Sequence, residues 1–271
     1  MGHVFIKYTI QEKLTRYLNR ICALCYNKAD KAGDEMKLFE LKRPMSETFL
    51  VGALLTIVGG YFDAYTYITR GKVFANAQTG NIVLLGINLA EGDFLKAVTY
   101  LIPVLAFVLG IFTAELIHKT ERHLPIHWRQ SVIALEIITV IVVSFLPTDG
   151  KGLDPYNMTA NVIISYVCSL QVQTFRKIHG ITCATTMCTG NLRSGTDLLM
   201  RYQTEKNRQY LYDGLKYYAV NLIFVAGAFI SVFLSKEFQG MAVIFCLLPL
   251  VIVFALMFVK QKEIEKKENG K

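Results

Sequence analysis

The sequence predicts an all-α fold: a polytopic membrane helix bundle of about six spans, built as two inverted three-span repeats, each with a re-entrant Thr-Gly-Asn segment. Three observations lead there. Hydrophobic residues make up 53% of the 271-residue chain and charged residues 18%, and the mean hydropathy is +0.36, too apolar for an ordinary soluble domain. Six windows approach the roughly 20 apolar residues that a helix needs to cross a hydrocarbon core. The tripeptide Thr-Gly-Asn occurs twice in apolar surroundings, at Thr79-Gly80-Asn81 and Thr189-Gly190-Asn191, 110 positions apart.

Residues 1–45 read as a separate cytoplasmic segment. Ile10, Leu14, Leu18, Ile21 and Leu24 recur at helical spacing, with Lys13, Arg16 and Arg20 opposite. Such a helix suits an anionic bilayer surface or another protein. Cys22 and Cys25 form a lone CxxC with no second pair or nearby histidine ligands, and two small apolar positions on an amphipathic helix account for it. More than forty mixed polar residues precede the first apolar window, so a cleavable signal peptide is not expected.

The membrane domain is expected over 46–260, with repeat 1 at about 46–150 and repeat 2 at about 155–260. Its windows are Phe49 to Ile68, Phe94 to Ile117, Ser131 to Leu146, Tyr156 to Phe175, Leu215 to Leu234 and Met241 to Val259. Shifting the first and third by 110 positions lands on the fourth and sixth. A three-span unit has odd parity, so its second copy runs inverted, a known transporter architecture. The basic residues alternate between loops: dense before the first span, around Lys119, Arg122 and Arg129, from Arg176 through Arg208, and in the basic tail 261–271. Six spans with both termini in the cytoplasm satisfy the positive-inside tendency. Eight spans, with both Thr-Gly-Asn segments crossing fully, would put Lys119, Arg122, Arg129, Arg176 and Lys177 outside.

Polar residues precede apolar ones at each tripeptide, as a re-entrant loop leading into a half-helix requires. Backbone of that kind persists at membrane depth where protein or a water-filled cavity surrounds it. Thr79 or Asn81 is a candidate cap for the following helix, whose positive end favours an anion or a polar group. The other reading makes Gly80 and Gly190 small packing residues beside capped helices.

The stretch GGYFDAYTYITRGKVFANAQTGNIVLLG resembles the YoaK-type family, bacterial membrane proteins of about six spans classed as a domain of unknown function. Gly59, Gly60 and Asp63, Gln78-Thr79-Gly80-Asn81 and Thr189-Gly190-Asn191-Leu192 carry the likeness, over about residues 45–260. The resemblance implies the bacterial inner membrane and a fold; it brings no substrate.

Asp63 is the first functional candidate, because an ionisable group at membrane depth is costly. It either supplies charge for cation or proton coupling, or forms an ion pair or accepts backbone N–H groups to hold the loop. The 110-residue shift sets Gln173 opposite it. Arg193 is a candidate partner of Asp63, a cavity charge or an interfacial arginine. Asn76, Gln78, Thr79, Asn81, Thr189 and Asn191 complete the expected solute site, with Glu136 and Glu115 as secondary candidates. Tyr61, Tyr65 and Tyr67 read as an interfacial aromatic belt, and Pro103 and Pro249 as helix interruptions.

The expected function is therefore a carrier or channel for a small polar solute or ion, working in the bilayer. A six-span unit would need a second copy to enclose a path, so a homodimer is among the states the sequence allows. A scaffold or sensor acting through the N-terminal helix is the second reading and a membrane-embedded enzyme the third. The five histidines lie in the N-terminal segment or near span ends, and no nucleophile, metal-ligand or cofactor motif is present, so neither catalysis nor a cofactor is expected. The net charge of +8 tracks span ends, which argues against nucleic acid as a partner.

Overall fold

The computed structural model describes residues 45–120, 127–148, 154–183 and 185–268. The expected N-terminal helix and its CxxC lie outside the described residues. The described chain is mostly helical: α1 (Phe49–Thr69), α2 (Gln78–Ala90), α3 (Phe94–Lys119), α4 (Trp128–Ser144), α5 (Pro155–Thr174), a two-stranded hairpin β1 (Lys177–Ile178) and β2 (Ile181–Thr182), α6 (Cys188–Glu205), α7 (Arg208–Phe238), a 3₁₀ segment (Gln239–Cys246) and α8 (Leu247–Glu268).

Local chemistry sets most of these boundaries. Thr48, Asp93, Asp154 and Asn207 each accept a hydrogen bond from a backbone N–H in the first turn of α1, α3, α5 and α7. Pro155 opens α5, where its missing N–H costs nothing. His179 and Gly180 both have positive φ, +46° and +85°, which a two-residue hairpin turn demands. Gln239 at φ +49° breaks α7 from the 3₁₀ segment. Pro103 lies inside α3, as expected, whereas Pro249 falls in the first turn of α8. α8 extends to Glu268, so most of the expected tail is helical.

Glycines bring the long helices together. A side chain on Gly60 would strike the carbonyl of Phe224, and one on Gly227 the carbonyl of Ile57, so α1 and α7 touch backbone to backbone. Gly110 of α3 meets the Tyr166 carbonyl and Ser169 of α5 in the same way. Small-residue contacts of this type suit a bilayer, where close packing and hydrogen bonds rather than water exclusion hold helices together. Gln171 of α5 donates to the Leu55 carbonyl and Asn161 to the Arg70 carbonyl, so α5 runs antiparallel to α1. The main core joins α1, α4, α5, the 3₁₀ segment and α8 through Leu55, Phe62, Ile133, Ile164 and Leu250.

Among the described residues three stretches are long and apolar enough to cross a membrane: Phe49–Thr69, Phe94–Lys119 and Arg208–Phe258. The sequence windows suggested six. The difference lies in α4, with 17 residues, in α5, whose buried face is polar, and in the last two windows, which both fall on the single stretch Arg208–Phe258. α5 is packed against other helices, whereas α4 also exposes Ile138, Ile141 and Val142. Longer apolar rows are displayed on α3 and α7: Leu105, Leu109, Phe112 and Leu116 on one, Leu222, Val225, Phe229 and Phe233 on the other, all exposed at helical spacing.

Candidate functional site

One face of α5 carries Asn157, Asn161, Ser165, Cys168 and Gln171, at spacings of three and four, and all five are buried. This polar seam runs beside α1 from Arg70 to Leu55. Asn161 Nδ2 donates to the Arg70 carbonyl at 2.7 Å, and Gln171 Nε2 to the Leu55 carbonyl at 3.2 Å and to Thr185 Oγ1 at 3.3 Å. Asn76, in the loop after α1, donates from Nδ2 to the Gly59 carbonyl at 3.1 Å. A carbonyl must face an amide nitrogen, so these contacts fix the amide orientations. The oxygens Asn161 Oδ1, Gln171 Oε1 and Asn76 Oδ1 are then left buried with no protein partner, as is Ser165 Oγ. Unsatisfied buried acceptors cost about 1–3 kcal/mol each, and water or a hydrogen-bond donor would relieve them.

Asp63 is 5% exposed. Its Oδ1 accepts from the backbone N–H of Asn76 at 2.6 Å and of Ala77 at 3.2 Å. The carboxylate therefore pins the loop that leads into α2. Asn81 pins it from the other side: its Oδ1 accepts from Phe74 N at 2.9 Å, and its Nδ2 donates to Phe74 O and to Gln78 Oε1.

α2 begins at Gln78 behind Ala77, with no side-chain cap. The tripeptide thus lies inside the first turn, and neither Thr79 nor Asn81 caps the helix. The second copy repeats this placement, for α6 begins at Cys188 behind an uncapping Met187. Asn191 is buried, close to Cys183 Sγ and Asn221 Oδ1, while Thr79, Thr189 and Arg193 are exposed. At about 1.5 Å per residue, the 13 residues of α2 reach roughly 20 Å, short of a full crossing. α6 carries Arg193, Asp197, Arg201 and Glu205. Those lengths and charges disfavour the eight-span arrangement.

Other candidates fall elsewhere. Gln173 hydrogen-bonds Glu115, and both line a cavity of about 220 Å³ with Glu47, His118, Arg129 and Arg176. Asp63 is not part of that lining; the 110-residue shift relates Asp63 and Gln173 without bringing them together. Glu136 is fully buried in the middle of α4, and neither of its oxygens has a hydrogen-bond partner.

Two features went unread in the sequence. Tyr61 and Tyr65 are core residues rather than a belt: their hydroxyls donate to the carbonyls of Ala242 at 2.5 Å and Gly240 at 2.7 Å, and of the three tyrosines Tyr67 alone is exposed. Arg70, which reads as a loop charge, is 0% exposed. Its Nε donates to Tyr65 Oη, Nη1 to Pro147 O and Asn157 Oδ1, and Nη2 to Val143 O and Leu146 O. These acceptors are neutral, and the three carbonyls lie at the C-terminal end of α4, where the helix dipole favours a cation.

This arrangement has counterparts in sequence. A family model described as a protein of unknown function, DUF1275, matches residues 51–257. The chain belongs to the DUF1275 family. It is also 25% identical over 211 residues to the UPF0700 transmembrane protein YoaK of Bacillus subtilis (strain 168), an alignment covering 76% of this chain and 90% of that protein. No solved structure matches. Membership agrees with the YoaK-type resemblance and with the apolar helices: this is a membrane protein. Both tripeptides, the α5 seam and Arg70 lie within the matched range.

Proposed function

We propose that the protein is a carrier or channel for a small polar solute, built as two inverted halves whose contact forms the path. The observation that carries this reading is the α5 seam, a line of buried polar side chains with unsatisfied oxygens. A purely structural bundle gains nothing from leaving acceptors unpaired, whereas a path must offer groups that a passing solute or water can take up.

Several relations support two inverted halves. α1 and α5 stand at corresponding places in the 110-residue register and run antiparallel. α2 and α6 begin 110 positions apart, at Gln78 and Cys188. The pairing of α1 with α7 corresponds, under the same shift, to that of α5 with α3. Corresponding residues can meet where a two-fold axis passes: Asn76 and Thr186 both flank Gly59, and α4, which carries Glu136, packs in one core with the 3₁₀ segment that carries Cys246. The re-entrant reading of α2 and α6, the inner membrane, cytoplasmic termini and a non-enzymatic role belong to this proposal. Asp63 and Asn81 act in it as the groups that hold the first loop beside the seam.

Thiol labelling tests it. Cys168, and a cysteine replacing Ser165 in a Cys168→Ser background, should react in membranes with a small charged methanethiosulfonate, whereas a cysteine replacing Ile133 should not. If neither seam position reacts under any ionic or pH condition, the seam is dry packing and the path reading fails.

A further inference from the structure

We propose that Glu136 is a proton-exchanging carboxyl at the contact of the two halves, which couples movement along the seam to a proton. The inference rests on the carrier reading and names its coupling ion.

Glu136 lies midway along α4, 0% exposed, and neither of its oxygens has a hydrogen-bond partner. The groups packed around it offer no compensation. Ile133 and Val140, one turn to either side of it on α4, share a core with Cys168 of α5 and Cys246 of the 3₁₀ segment. α8 contributes apolar Leu250 and Val253 to the surrounding core. The same core holds Tyr61 and Tyr65 of α1, whose hydroxyl protons are already given to the Ala242 and Gly240 carbonyls. Asp63 of α1 is itself an acid, held by backbone N–H groups. Arg70, the buried cation among the described residues, spends its five N–H groups on neutral acceptors from α1, α5 and the end of α4.

A bare carboxylate in such a place loses its hydration and gains neither a cation nor a donor. A bound proton removes the charge at once. Among the described residues no group of three or more His, Cys, Asp or Glu side chains is placed to hold a metal ion. Position supplies the link to transport. Cys168 lies on the seam face of α5 and in the same core as Ile133 and Val140, which flank Glu136 one turn to either side on α4, so the carboxyl's helix packs behind the seam. When water or solute enters there, the carboxyl gains a route by which its proton can leave.

Infrared spectroscopy of the full-length protein in lipid at neutral pH tests this, comparing the wild type with Glu136→Gln, Glu136→Asp and Asp63→Asn. The expected result is a protonated-carboxyl C=O band that shifts on transfer to D₂O, is lost in E136Q, moves in E136D and stays in D63N. E136D guards against a misfolded E136Q, since a displaced band assigns the group without deleting it. Absence of a band dependent on position 136 would show the residue ionised and overturn the proposal. So would a band that never shifts in D₂O, because its proton would not exchange. Labelling of Cys168 reads the path separately: reactive Cys168 with no Glu136 band removes the proton and leaves the path, whereas an exchanging band with inert Cys168 removes the path and leaves a proton site.

Discussion

Asn76 and Thr186 meet at Gly59. A Cβ placed on that glycine would stand 2.7 Å from Thr186 Cγ2 and 3.7 Å from Asn76 Nδ2. The two residues are 110 positions apart, each two residues before the start of its tripeptide helix, so the loops leading into α2 and α6 converge on one point of α1. That convergence places α1 between the two loops, and its surroundings can be probed residue by residue.

The two tripeptide glycines should behave differently. An added Cβ at Gly80 would lie 2.8 Å from the Phe74 ring, whereas at Gly190 nothing lies within 4 Å. Gly80→Ala should lower thermal stability in detergent by about 1–3 kcal/mol, the usual cost of overpacking. Gly190→Ala should be neutral or gain about 0.5–1 kcal/mol from helix propensity. Equal losses at both positions would refute the described difference in packing.

Asp63 should act first through its loop. Asp63→Ala leaves the Asn76 and Ala77 N–H groups without their acceptor and should cost about 1.5–3 kcal/mol for each charge-assisted bond. Asp63→Asn keeps an acceptor oxygen and should cost less. Limited proteolysis between residues 70 and 77 should accelerate in that order, and an unchanged cleavage rate in Asp63→Ala would speak against the anchoring role.

Arg70→Lys is not a conservative change here. A lysine offers three donors from one nitrogen and cannot reproduce a fork that binds Tyr65, Asn157 and three carbonyls. The variant should lose more than about 2 kcal/mol, by analogy with bonds to charged groups. A melting temperature equal to that of the wild type would mean that the buried fork contributes nothing to stability.

At Ser165 stability and transport should part company. Its buried hydroxyl has no partner, so Ser165→Val should leave stability unchanged or raise it by about 1 kcal/mol. The same variant should slow labelling of neighbouring Cys168 at least tenfold by drying the seam. Faster labelling, or a large stability loss, would show that the hydroxyl serves packing.

Gly60→Val should separate α1 from α7, because the obstacle is the Phe224 backbone carbonyl rather than a movable side chain. Aggregation or loss of the folded protein in a detergent sizing experiment is the expected outcome.

Much of this was legible in the sequence. The apolar windows and the 110-residue offset between tripeptides follow from composition and local spacing, and α1 and α3 begin at Phe49 and Phe94, where their windows open; the caps Asp93, Asp154 and Asn207 were not read, and the caps expected at Thr79 or Asn81 are not formed. Local chemistry is short-ranged, so it can be read along the chain. What the sequence could not assign was the company each polar side chain keeps. Arg70 reads as a loop charge until the end of α4 closes around it; Tyr61 and Tyr65 read as a belt until the 3₁₀ segment offers them carbonyls. Gln173 turns to Glu115 rather than to Asp63. Each of these depends on a neighbour far along the chain, and burial, hydrogen-bond satisfaction and charge are properties of that meeting. Sequence determined which segments are helical and apolar; tertiary structure decided which polar groups share an interior, because desolvation acts on a group only after another helix has covered it.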